Sequence, residues 1–386
     1  MTRLLFPAVA LLALVLPIRA LDWGGSLEDD SAANLGLAKS SSDSVVQTQT
    51  LRLWAVQNFG PTANLLAKAN VSDALTWNLH PSALSNTVTA DLDALVFSSG
   101  GLTLGRTTFH DFGSTVLNTT LDGIQYSFGA HGVGYTLAAG SSALVFKSGS
   151  TVVISEADLN ERTVAEDWSR PSTLFAPRRA MAYLEATLTS LIPGQTIQLA
   201  EAFQYDLRTE GVARAGDSHS HFTPGGPTAP VHMSYTGLGL SGRVAGPLYW
   251  DLWSYLGLGL SLTPTGPYAQ KGTDPSTGAP IPEVLETWRT SYIVNGLGKM
   301  DLSLILPGLN DTIVNLGLLV GSWDRDGISP DQNLPTKPQG NSPSLYTGYF
   351  GISRTGSALI FNPQPANMAI GQLLYSFKPL GRSRSD

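Results

Sequence analysis

From Leu248 to Leu262 the chain sets Leu248, Trp250, Leu252, Leu256, Leu258, Leu260 and Leu262 on one side, and Tyr249, Asp251, Trp253, Tyr255, Gly257, Gly259 and Ser261 on the other. A period of two is the period of a strand. Seven large apolar groups on one face are costly in water, so something apolar must cover them. The opposite face carries an aspartate, glycines and polar-tipped aromatics, which suit a wet interior better than a second core. The segment therefore reads as a strand between lipid and water.

The same period recurs elsewhere. In residues 195–208, Ile197, Leu199, Phe203, Tyr205 and Leu207 oppose Gln198, Gln204, Asp206 and Arg208; Glu201 interrupts the apolar side, a place the pattern explains only as a position near an interface. Val88, Ala90, Leu92, Ala94 and Val96 oppose Thr87, Thr89, Asp91 and Asp93, and Met300, Leu302, Leu304 and Leu306 oppose Lys299, Asp301 and Ser303. Near the C-terminus, Gly371, Leu373, Tyr375 and Phe377 share a face. This last segment resembles the C-terminal assembly signal of bacterial outer-membrane proteins, although here Lys378 to Asp386 follow as a polar tail. The resemblance implies the barrel-assembly machinery and outer-membrane lipid as partners.

The first twenty residues look like a secretory signal peptide: Thr2-Arg3, an apolar run from Leu4 to Pro17, and Ile18-Arg19-Ala20 before Leu21. That run is too short to span comfortably as a helix, and no later segment offers the roughly eighteen unbroken apolar residues that a spanning helix needs. Residues 21–377 are expected to form one barrel and 378–386 a tail. Gly 40, Trp 8, Tyr 12, 14% charged residues and a mean hydropathy of +0.04 agree, because lipid-facing and lumen-facing residues average out along each strand. A net charge of -7 argues against a nucleic-acid partner. The absence of cysteine decides nothing about redox compartment.

Connection lengths give an orientation. From residue 179 onward, tight turns at Pro193-Gly194, Ala245-Gly246-Pro247 and Pro307 to Asp311 alternate with long polar loops at about 209–229, 263–286 and 325–344. Short turns belong on the periplasmic rim and long loops outside. With strands near 22–29, 45–57, 62–79, 87–99, 101–110, 121–129 and 131–147, and a short one at 357–362, the expected fold is an all-β transmembrane antiparallel barrel of about sixteen strands, with fourteen or eighteen as neighbouring solutions.

Gly105-Arg106, Leu121-Asp122-Gly123, Gly134-Tyr135-Thr136 and Pro177-Arg178-Arg179, within residues 100–210, resemble bacterial outer-membrane porins of the general-diffusion and alginate-export kind. A Pro-Glu-Phe-Gly-Gly constriction motif is missing. The resemblance implies a bacterial outer-membrane channel for small hydrophilic solutes, with no cofactor and with oligomeric state open.

The alternation points Arg52, Arg106, Arg179, Arg208, Asp91, Asp93, Glu185, Asp206, Asp251 and Asp301 inward as candidate pore-lining charges. The segment 148–178, with Glu156, Asp158, Glu161, Arg162, Glu166, Asp167 and Arg170, reads first as a solvated loop and second as a constriction folded into the lumen. Asp217, His219 and His221 have a spacing that zinc sites use, but a solvated loop accounts for them better, and no metal is expected. No Gly-x-Ser-x-Gly elbow, phosphate loop or dinucleotide fingerprint occurs, so catalysis is not expected. Three other readings remain: a plugged barrel with structural or adhesive loops, a hydrophobic-substrate channel in which Trp253 and Tyr255 line a greasy track, and a secreted soluble β protein glycosylated at Asn70, Asn118 or Asn310.

Overall fold

The computed structural model describes residues 21–34, 43–79, 82–147, 149–164, 166–167, 169–189, 191–209, 230–264, 268–273, 280–284, 288–306, 312–322, 345–346, 349, 351–353 and 369–376. The signal peptide, residues 357–362, Phe377 and the polar tail, and the His219/His221 loop lie outside them. The described residues contain fourteen strands of eight residues or more, and the chain forms two compact units that divide between Gly105 and Arg106. The fold class is all-β, as the alternation required.

The first unit is an antiparallel meander of β1 (Leu21–Asn34), β2 (Ser44–Asn58), β3 (Ala63–Leu79) and β4 (Ser82–Ser99). Register places Ser26, Arg52, Asn70 and Asp91 in one cross-strand row and Leu27, Leu51, Val71 and Ala90 in the next, so one face is polar and the other apolar. Arg52 pairs with Glu28, Thr50 and Ser72 share a hydrogen bond at 2.9 Å, and Asn70 donates to Asp93 at 2.5 Å. Val96 is the only buried residue of the unit among those described, while Trp23 and Leu27 are each 74% exposed.

One expectation for this unit needs correcting. The pairing of β4 with β3 shifts between Lys68 and Asn70, so that Asn70 faces Asp91 while Lys68 faces Ala94. A bulge of this kind adds a residue to one strand and exchanges the faces beyond it. Ala94 and Val96 consequently join the polar face, and Leu95 and Phe97 replace them on the apolar one. The sequence alternation alone could not show the exchange, because small and apolar residues run on both sides of the bulge.

In the second unit β6 (Asn118–Ala130), β7 (Val133–Ser141), β8 (Arg179–Leu188), β9 (Gln195–Asp206), β10 (Val231–Ala245), β11 (Leu248–Pro264), β14 (Trp288–Leu306), β15 (Thr312–Gly321) and β17 (Ala369–Ser376) pair in that order, each antiparallel to the next. Strand β5 (Leu102–His110) straddles the division between the units. Leu199, Phe203, Leu256, Leu258, Leu316 and Leu373 are exposed on one face. On the other, Met181, Tyr183, Ala202, Tyr235, Trp253 and Tyr255 are buried. The sheet is thus apolar where it is open and mixed where it is covered, the reverse of a soluble sheet. Gly371, Leu373 and Tyr375 fall on the open face with Leu318, Leu316 and Val314 beside them, as expected.

The turns explain the covering. Two-residue connections at Gly100-Gly101 and His131-Gly132 have positive φ at every position, the geometry of the tight hairpins that match strand twist. The second of these lies on one rim of the second unit. From the other rim of that unit the described residues of three segments, within 111–117, 142–178 and 349–353, pack over the covered face. Ile352 and Ser353 donate backbone hydrogen bonds to the Val116 carbonyl at 2.8 and 3.1 Å, so the first and last segments are joined. Segment 142–178 is closed at its base by Ser142 N–H to the Arg179 carbonyl at 3.1 Å and Ala176 N–H to the Val145 carbonyl at 2.8 Å. Within the expected long connection at 263–286, β12 (Tyr268–Thr273) forms a hairpin with β13 (Pro280–Val284), and β16 (Leu345–Tyr346) pairs parallel with β14.

Candidate channel interior

Segment 142–178 folds inward because its sequence makes a capped helix with a buried face. In Ser155-Glu156-Ala157-Asp158, Ser155 Oγ accepts the Asp158 N–H at 3.3 Å and Asp158 Oδ2 accepts the Ser155 N–H at 3.0 Å, a reciprocal cap that starts α1 (Glu156–Thr163). Val152, Ile154 and Ala157 are buried. These residues of the segment are therefore packed on the covered face of the sheet rather than solvated.

Asp158 is where the segment is held. Its carboxylate accepts two hydrogen bonds from Arg179 Nη2, at 2.8 and 2.7 Å, and one from Arg208 Nη2 at 2.7 Å. Arg208 in turn reaches both oxygens of Asp206, at 2.9 and 2.7 Å, and Glu161 at 2.8 Å. The side chains of Arg179, Asp158 and Asp206 are fully buried. Burial by itself would raise the Asp158 pKa, but the charge of Arg179 and then that of Arg208 outweigh it, and the carboxyl is held below its ordinary range. Removing one member of such a buried set leaves an unpaired charge, at a cost of about 3–5 kcal/mol.

A second clamp holds residues 111–117. Asp111 accepts the N–H groups of Gly113, Thr115 and Leu117 at 3.0, 3.1 and 2.7 Å and the Tyr255 hydroxyl at 2.5 Å. Phe112 stacks on Tyr255 with ring centroids 5.1 Å apart, and its N–H donates to the Tyr183 hydroxyl at 3.2 Å. Burial pushes the Asp111 carboxyl up, with the Tyr255 hydroxyl and the Leu117 and Gly113 amides pulling the other way. Gly237 and Gly257 make room for the anchoring rings: a Cβ at Gly237 would collide with Tyr255, and one at Gly257 with Tyr235. Trp253 and Tyr255 are thus packing for this segment rather than a greasy track.

The ten candidate pore charges separate into three groups. Arg106, Arg179, Asp206 and Arg208 are buried in ion pairs; Arg106 grips Asp122 through Nε and Nη2 at 2.8 and 2.9 Å and donates to the Leu144 carbonyl at 2.6 Å. Arg52 and Asp91 lie on the polar face of the first unit, and Asp93, in the bulge, accepts a hydrogen bond from Asn70 of that face. Glu185, Asp251 and Asp301 lie on the interior face of the second, where Asp251 and Asp301 face each other in register, Lys299 pairs with Asp301 at 2.6 Å, and Glu185 accepts from Tyr183 at 2.7 Å and Thr187 at 2.9 Å. Asp251 is exposed. The sequence reading gave no role to Asp111 or Tyr183; the spacing Asp111-x-Gly113-x-Thr115, which favours a carboxylate capping its own loop amides, was the available signal for the first. Among the described residues no group of three or more His, Asp or Glu could hold a metal ion.

No family model and no curated protein sequence matches the chain. Among solved structures it is similar to Pseudomonas aeruginosa OccK11 (OpdR), with 13% identity and a TM-score of 0.33 over 79% of this chain and 63% of that one. It is also similar to Pseudomonas aeruginosa OccD3 (OpdP), with 11% identity and a TM-score of 0.28 over 83% of this chain and 75% of that one. The chain therefore spans less than two thirds of the length of OccK11. Neither superposition is close enough to assign a function.

Proposed function

We propose that the chain is a β-barrel of the bacterial outer membrane that passes small hydrophilic solutes by passive diffusion, with segment 142–178 as its constriction. The observation that carries this is the inverted sheet of the second unit, in which exposed Leu, Phe and Val side chains back onto a face bearing Glu185, Asp251, Lys299 and Asp301. A water-soluble protein has no use for that arrangement, whereas a strand between lipid and water requires it. Closure of the sheet into about sixteen strands belongs to this proposal, as does outer-membrane placement.

The packing of three segments against the interior face favours one second reading, a barrel whose lumen is plugged. Reconstitution in a planar bilayer separates the two. An open channel gives stepwise conductance, and Asp251→Asn then moves ion preference toward anions because the interior loses a negative wall charge. A plugged barrel inserts, migrates differently on a gel before and after heating, and conducts nothing. A chain that stays soluble without detergent would overturn both.

A further inference from the structure

On the interior face of the second unit, Phe112 lies over Gly239 of β10. A Cβ at Gly239 would stand 3.1 Å from Phe112 Cε2 and 3.2 Å from Gln198 Cβ, so the absence of a side chain there lets the ring settle close to the sheet. One face of the ring stacks on Tyr255, with centroids 5.1 Å apart, and the residue is only half-buried, so its other face is free. The next interior register row on the short-turn side pairs Ser241 with Asp251, which is exposed. The ring therefore borders the uncovered part of the interior face.

Glu185 stands beside it, joined through two shared neighbours. Gln198, which flanks Gly239 with the ring, donates from Nε2 to Glu185 Oε1 at 3.2 Å. The Tyr183 hydroxyl, which accepts the Phe112 N–H at 3.2 Å, donates to Glu185 Oε2 at 2.7 Å. The Thr187 hydroxyl adds a third hydrogen bond at 2.9 Å. Among the described residues no lysine or arginine forms an ion pair with this half-buried carboxylate. Three neutral donors hold it still and fill most of its roughly four acceptor sites. What it still offers a solute is charge, with little acceptor capacity left.

A free aromatic face beside an unpaired negative charge suits a cation. A primary ammonium or a guanidinium would need the acceptor sites that Tyr183, Thr187 and Gln198 already occupy, whereas an alkylated ammonium donates no hydrogen bonds and asks for none. We propose that Phe112 and Glu185 form a binding site for solutes carrying a quaternary ammonium group, the cation resting on the free face of the ring under the charge of Glu185. The proposal rests on the reading of the second unit as a barrel with a wet interior, and names one class of solute for it. Both groups are fixed before a solute arrives, which lowers the ordering cost of binding.

The test is isothermal titration of choline into the full chain purified in detergent, with heat-modifiable migration checked for each variant and conductance of the same preparation recorded in a planar bilayer. Choline is expected to bind at one site per chain, and its neutral isostere, with carbon in place of nitrogen, about tenfold or more weakly. Glu185→Gln removes the charge at nearly constant shape, and Phe112→Leu removes the ring; each is expected to weaken choline binding about tenfold, while Val320→Ala, on the opposite face, leaves it unchanged. No choline binding by a chain that conducts, or equal binding by wild type, Glu185→Gln and Phe112→Leu, would overturn the site and leave the channel standing. Binding without conductance would keep the site and overturn passive diffusion. Equal affinity for ethanolamine and choline would overturn the preference for an alkylated ammonium, and a chain soluble without detergent would remove the membrane reading and the site with it.

Discussion

The two units use one pattern to different ends. In the first, register separates a polar from an apolar face just as well as in the second, yet Val96 is its only buried residue among those described. In the second, the buried cluster includes Tyr183, Tyr235, Trp253 and Tyr255 from the strands and Val116, Val152, Ile154 and Ile352 from segments that return over them. Alternation thus decides which face a side chain takes, and the returning segments decide which face becomes a core. Charges follow the same division. Arg52 and Glu28 pair while 48% and 44% exposed, whereas Arg179 and Asp158 pair at 0%, and only the second pair holds a segment in place.

The comparison can be broken most severely at Arg179. Arg179→Ala is expected to cost about 3–5 kcal/mol in denaturant unfolding of the detergent-solubilised protein, since it leaves the buried carboxylates of Asp158 and Asp206 to share the single charge of Arg208. It should also release segment 142–178 and raise conductance. Next in size, Leu256→Arg on the open face is expected to cost about 2–4 kcal/mol if it sits near the bilayer midplane, by the same unfolding measurement in lipid.

Acid probes the difference through Asp158. Its pKa is lowered in the folded state, so its contribution is fully present above the ordinary aspartate value of 3.8 and disappears as pH falls through the lower folded value. Proteolysis of segment 142–178 should therefore rise only in strong acid, and Asp158→Asn should show the raised proteolysis at neutral pH. The smallest effect is expected in the first unit. Arg52→Ala should change stability by about 0–1 kcal/mol, because its pair is exposed and screened by salt. A loss there as large as that of Arg179→Ala would erase the contrast between the units.

Much of this was legible in the sequence, and the residues that were not share a cause. The outward faces of β9, β11 and β17 followed from a period of two, which is local. The bulge opposite Lys68 and Asn70 was not visible, because it is defined by pairing with another strand. Arg179 and Arg208 were read as wall charges when they are clamps, since their partner Asp158 lies 21 and 50 residues away and nothing in the spacing announces it. Tyr255 and Asp111 are 144 residues apart. These residues share the covered face of the second unit's sheet, and the segments that cover it were the missing information.

The chain contains no cysteine, so each introduced one is a unique probe of which face meets lipid and which meets water. The most direct measurement is therefore single-cysteine labelling of the reconstituted protein at Phe203, Leu256, Leu258, Asp251, Lys299 and Asp301 with a water-soluble and a lipid-soluble thiol reagent. Labelling of 251, 299 and 301 by the water-soluble reagent, and of 203, 256 and 258 only by the lipid-soluble one, is the predicted result. Equal labelling of both sets by the water-soluble reagent would contradict a sheet that stands between lipid and water.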